Sequence, residues 1–168
     1  MADDSDSTME IARAQSRILS SHHQASLIML GVAMSIVIYV GVGLGILNGK
    51  GPSEGAPQLR IPFYVAALFL ALGSIALRRT QLRWLKLETV SGAGGVDGLL
   101  KYLVTTTIVL AAIAEVIGLL GLILCFLGGG QRDVLALGAT GLVLALASYP
   151  KRAAWEKTVA YLGGDAGV

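Results

Sequence analysis

Charged side chains are scarce in this chain. Asp, Glu, Lys and Arg make up 14% of its 168 residues, against about 25% in an average soluble domain. The deficit points to lipid as the solvent. Cysteine is nearly absent: Cys125 stands alone, which excludes an intramolecular disulfide and a cysteine-based metal cluster. Inside an apolar run, it reads as a small packing residue. Aromatic residues amount to only 6%. The basic residues do not gather among them in one patch, which argues against a nucleic-acid partner. There is no nucleophile paired with a base, no Gly-rich phosphate loop and no spaced set of metal ligands, so neither an enzyme nor a resident metal or cofactor is expected. His22 and His23 are adjacent. Successive side chains on a helix point about 100° apart and do not easily share a metal. A cleavable leader is not evident either. A polar stretch with Asp3, Asp4, Asp6 and Glu10 precedes the first apolar run, so that run is expected to stay as an anchor.

What the chain has is apolar length. Hydrophobic residues reach 54%, mean hydropathy is +0.70, and there are 22 glycines, a residue more frequent in membrane helices than in soluble ones. Apolar runs at 25–47, 59–77, 102–127 and 134–149 predict an all-α bundle of four transmembrane helices. At about 1.5 Å per residue the first spans roughly 35 Å, enough for a bilayer core. Pro62 falls in the first turn of the second run, where its missing N–H costs little. The fourth run is short, with Asp133 able to cap its start and Pro150 ending it.

The connections divide the chain. NGKGPSEGAPQLR (residues 48–60) reads as a loop. GGGQRD (128–133) reads as a tight turn, so the helices are expected as two hairpins. The longer connection 78–101 begins with RRTQLRWLKLE, able to prolong the second helix, and continues with SGAGGVDG, a flexible break. Residues 1–24 form an N-terminal segment. Within it, MEIARAQSRILSSHHQ (9–24) can form a weak apolar stripe of Ile11, Ile18 and Leu19 and reads as a solvated lead-in or, alternatively, as a cytoplasmic helix leading into the first span. Residues 25–150 form the transmembrane domain and 151–168 a tail that frays at its end. Ten Lys and Arg lie in the N-terminal segment, the second connection and the tail. Three (Lys50, Arg60, Arg132) lie in the other two connections. The positive-inside rule then places both termini in the cytoplasm.

Glu115 is the sharpest candidate for chemistry, being the one charge in the third run. A charge at mid-bilayer costs on the order of 3 kcal/mol on insertion scales, so it is kept protonated, paired or given an ion. Ala111, Ala112, Gly118 and Leu119 lie one turn away on its face. That surrounding suits an ion-binding carboxyl and equally a structural one bonded across a tight interface. Tyr39 lies well inside the first run, away from the boundaries where Tyr102, Tyr149, Trp84 and Trp155 gather. It can donate its hydroxyl to Glu115 if the first and third helices are neighbours. Gly41 and Gly45 have GxxxG spacing; with Gly118, Gly121, Gly138 and Gly141 they mark helix-packing faces, within one chain or between copies. Thr105, Thr106 and Thr107 can bond back to helix carbonyls. Arg78, Arg79, Arg83 and Lys86 set topology or attract anionic lipid.

AAIAEVIGLLGLIL (Ala111 to Leu124) resembles the carboxylate helix of the rotor-ring c subunits, or proteolipids, of rotary ATP synthases and ATPases. YVGVGLG (Tyr39 to Gly45) resembles their Gly-rich inner helix. The two stretches also resemble each other, with Tyr39 opposite Glu115, as in proteolipids built of two duplicated hairpins. The resemblance implies a proton-binding carboxyl at Glu115 and a homo-oligomeric ring. The chain departs from the pattern in three places. Its second helix lacks the Gly repeat, RRTQLRWLKLE stands where the family has a short polar loop, and Val116 follows the acid where sodium-binding rings often place a hydroxyl. YPKRAAWE (149–156) is similar to the ends of some bacterial four-helix membrane proteins and implies a bacterial cytoplasmic membrane. Two functions are therefore expected as alternatives. One is a structural or accessory membrane subunit, in a larger complex or a homo-oligomer. The other is a c-subunit-like proton-translocating protein using Glu115.

Overall fold

The computed structural model describes residues 3–49, 57–81, 84–153, 155 and 157. Among them stand four helices: α1 (Asp3–Gly49), α2 (Pro57–Gln81), α3 (Trp84–Phe126) and α4 (Gln131–Ala147). Three stretches are long and apolar enough to cross a membrane: Ser16–Gly49, Gln58–Gln81 and Gly94–Phe126. At 17 residues, α4 reaches about 26 Å at 1.5 Å per residue, just short of a bilayer core of about 30 Å.

Several expected boundaries move. Of the two readings of 9–24, the structure has the helical one: the lead-in is part of α1, continuous for 47 residues. The break expected in SGAGGVDG is a kink inside α3 at Gly95 (φ 58°, ψ −156°), a positive-φ conformation open to glycine and costing a side chain about 1 kcal/mol or more. Asp133 does not cap α4 from outside. Gly130 takes that position, and Asp133 reaches back from the first turn to accept the Gly130 N–H at 2.8 Å. Of the loop expected at 48–60, residues 48–49 end α1 and 57–60 begin α2, and 50–56 lie outside the described residues.

Contacts at the two ends show that successive helices run in opposite directions. At one end Arg17 meets Asp97, Arg78 donates to the Ala147 carbonyl, Tyr102 donates to Gln81, and His22 meets the Pro150 carbonyl. At the other end, Gly43 meets Cys125 and Val134, and Tyr64 meets Asp133. The α3–α4 pair packs across its tight turn. The α1–α2 pair does not: each packs on α3 and α4, with little contact between them. Consecutive in sequence, α1 and α2 thus sit on opposite flanks of a central α3–α4 seam.

The bundle is apolar both inside, where Met29, Ile36, Leu99, Ile117 and Leu124 are fully buried, and outside. Small residues such as Ala25, Ala67, Ala111, Ala114 and Ala145 are buried, as are Thr106, Thr107 and Ser74. Large apolar side chains point outward, among them Leu27, Met34 and Ile38 on α1 and Ile61, Leu68 and Phe69 on α2, the last 71% exposed. Water would penalise such a belt by about 25 cal/mol per Å²; hydrocarbon does not. Thr105 and Thr107 bond back to the Lys101 and Leu103 carbonyls at 2.9 Å, which satisfies them inside α3.

A helical turn after Pro150 folds back onto α1. Trp155 is buried against Ile18, Ala25, Leu99, Leu100 and Leu103, and the His22 ring meets it edge-on at 5.7 Å. His22 Nε2 also lies 3.1 Å from the Pro150 carbonyl. Loss of these contacts should release the turn. His22→Ala, in a Trp84→Phe background, is expected to shift Trp155 emission to the red as the indole meets water. An unchanged spectrum would mean that the apolar cluster holds Trp155 without the histidine.

Candidate functional site

The apolar pattern that buries Ala111, Ala114 and Gly118 of α3 leaves Glu115 at the edge of that buried face, half-buried on the side toward α1. On α1 the buried positions Ala25, Met29, Ile36 and Gly43 recur at near-heptad spacing. That register turns Tyr39 to the same seam. The Tyr39 hydroxyl donates to Glu115 Oε1 at 3.0 Å. A carboxyl has about four acceptor positions on its two oxygens; this bond fills one. Oε2 has no partner among the described residues. Around the pair the outer faces are apolar: Val42 on α1 and Ile108, Val116 and Leu119 on α3 are exposed.

The glycines divide into two groups. Gly118 of α3 lies opposite Gly141 of α4, and Gly121 opposite Gly138. A Cβ built on Gly141 would stand 2.7 Å from the Ala114 carbonyl oxygen and 3.1 Å from the Gly118 nitrogen; one on Gly121 would stand 3.1 Å from Leu137 Cβ. Absent side chains thus let the two backbones close, as small residues do in membrane bundles. On α1 the close approach is made by Gly43, where a Cβ would meet Val134 Cγ1 at 2.9 Å. Its carbonyl accepts from Cys125 Sγ at 3.4 Å. Gly41 and Gly45 lie on the other, exposed face, with nothing within 4 Å of a built Cβ. Gly41→Leu should therefore leave the stability of the single chain in detergent within about 0.5 kcal/mol of the parent. A larger loss would mean that this face packs inward.

A second polar cluster escaped the sequence reading. Asp133 is buried on α4. It accepts from the Tyr64 hydroxyl at 3.0 Å and from the Gly130 N–H at 2.8 Å, and Arg60 Nε lies 3.1 Å from its Oδ2. The Arg60 N–H is not aimed along that line, so the contact is electrostatic rather than a hydrogen bond. The signal was available: Arg60 and Tyr64 are four residues apart on α2 and share a face. The cluster ties α2 to α4 at the end that carries few basic residues.

Fold and site together define an all-helical bundle with an apolar exterior, a glycine-closed central seam and a half-buried carboxyl in its most apolar span. No protein-family model, curated protein or solved structure matches the chain.

Proposed function

We propose that the chain is a small integral membrane protein whose four helices cross the bilayer with both termini in the cytoplasm. It serves as a structural or accessory subunit of a homo-oligomer or larger membrane complex. The topology rests on the basic residues gathered at the end bearing Arg17, Arg78, Lys101 and Lys151, as the positive-inside rule requires. One observation carries the functional reading: Glu115, half-buried, is held by Tyr39 through one oxygen, its other oxygen has no partner among the described residues, and exposed Val42, Val116 and Leu119 flank it. A polar group facing hydrocarbon is costly. A helix from another subunit or another copy, laid over the α1–α3 seam, would supply donors and exclude lipid. Val116, exposed beside Glu115, reports on that contact. In a Cys125→Ala background, Val116→Cys is expected to cross-link in native membranes to a product heavier than the 17.4 kDa chain. A single-chain band would count against the seam as an interface.

The same half-open carboxyl favours a second reading, the proton-binding one that the c-subunit resemblance implies. Carbodiimide attacks a protonated, reachable carboxyl. If Glu115 exchanges protons, its labelling falls as pH rises and is lost in Glu115→Gln. Absence of labelling at every pH would remove this reading.

A further inference from the structure

A groove of about 370 Å³ opens between α1 and α3 at the cytoplasmic end of the bundle, far from Glu115. It lies at the first turns of two candidate spans, Ser16–Gly49 and Gly94–Phe126. Its lining includes the cations Arg17 and Lys101, the hydroxyl of Ser21, and the apolar Leu100 and Val104. Arg17 reaches Asp97 through one nitrogen only: Nη1 donates to Oδ1 at 2.9 Å and to Oδ2 at 2.7 Å. Its Nε and Nη2 hydrogens, and the Lys101 ammonium, have no protein acceptor among the described residues. Asp97 therefore orients the guanidinium without using up its donors. Both members of that pair are exposed, 59% and 68%, and such a pair holds weakly.

We propose that this groove binds the phosphate-bearing headgroup of an anionic phospholipid, an inference that rests on the chain spanning a membrane. Guanidinium and phosphate match as a planar donor fork and a set of acceptor oxygens. Lys101 adds a second charge within the same groove, so two cations face one anionic carboxylate and the net field is positive. Leu100 and Val104 give the groove apolar lining, and Leu27 and Leu30 lie exposed further along α1. Headgroup and acyl chains thus each meet the surface that suits them. Basic pockets between helices on the cytoplasmic side are the geometry that such lipids recognise.

Native mass spectrometry of the full chain in mild detergent, with equal phosphatidylglycerol and phosphatidylcholine, tests the site. The wild type should retain phosphatidylglycerol preferentially and keep it in excess inorganic phosphate. Arg17→Gln with Lys101→Gln should lower that preference about tenfold. Arg79→Gln with Lys151→Gln, which removes two charges from the same end but outside the groove, should not. Asp97→Asn, which leaves both cations, should retain it. Equal retention by the groove variant, an equal loss in the control pair, or displacement by inorganic phosphate would each overturn the proposal. Failure of the membrane reading shows separately: the wild-type chain would then be released from membranes by alkaline carbonate.

Discussion

Gly141→Ala is expected to destabilise the bundle by about 2–3 kcal/mol, although alanine is the better helix former by about 1 kcal/mol. The reason is what the new methyl would meet. It would stand 2.7 Å from the Ala114 carbonyl oxygen and 3.1 Å from the Gly118 nitrogen, both backbone atoms of α3. Neither can turn aside, so α4 must move away from α3 and loosen the packing of Leu137 against Ile117 and Leu124. Gly73→Ala on α2 is the contrast. Nothing lies within 4 Å of a Cβ built there, so only the gain in helix propensity remains and the change should not destabilise. Unfolding of both variants in mixed micelles gives the order; a Gly141→Ala chain as stable as Gly73→Ala would show that the α3–α4 backbones are not in close contact.

Asp133→Ala should cost about 3 kcal/mol, the next largest loss. Removing a buried partner of a charge pair commonly costs about 3–5 kcal/mol, but Arg60 is 43% exposed and recovers solvation, which brings the figure to the lower end. The Tyr64 hydroxyl and the Gly130 N–H also lose their acceptor. Tyr64→Phe removes one neutral donor and should cost about 1 kcal/mol. Arg60→Gln should fall between the two. Because α2 touches the rest of the bundle almost wholly through α3 and α4, these losses should appear first as release of α2. Limited proteolysis at the 50–56 connection measures that release; cleavage unchanged in Asp133→Ala would contradict the role given to the cluster.

Helix class and number were legible because each apolar run is bounded by Gly, Pro or charge. What escaped depended on direction around a helix or on contacts far apart in sequence. GxxxG spacing drew attention to Gly41 and Gly45, but the register of Met29, Ile36 and Gly43 decides which face of α1 is inward. That face puts Gly43 against Val134 and leaves the other two outside. SGAGGVDG reads as a flexible break by composition; the break is there but takes one residue, Gly95 at positive φ, and the rest stays helical. Two hairpins were expected, yet α2 packs mainly on α3, where Ala67 clusters with Ile117 and Leu124, and Tyr64 and Arg60 reach Asp133 on α4, all contacts far apart in sequence. Tyr39 and Glu115 could be paired on paper only under the condition that α1 and α3 are neighbours. Those helices are neighbours, and the two side chains meet at 3.0 Å.

We propose that the Glu115–Tyr39 seam is where this protein joins another membrane helix. Native mass in mild detergent of the wild type, Glu115→Gln and Glu115→Leu tests the seam. Glutamine keeps an oxygen to accept from Tyr39 but sets an NH2 donor against the partner's donors, so that variant should assemble less than the wild type, and leucine should leave single chains of 17.4 kDa. Single chains in the wild type, or full assembly in Glu115→Leu, would contradict the account.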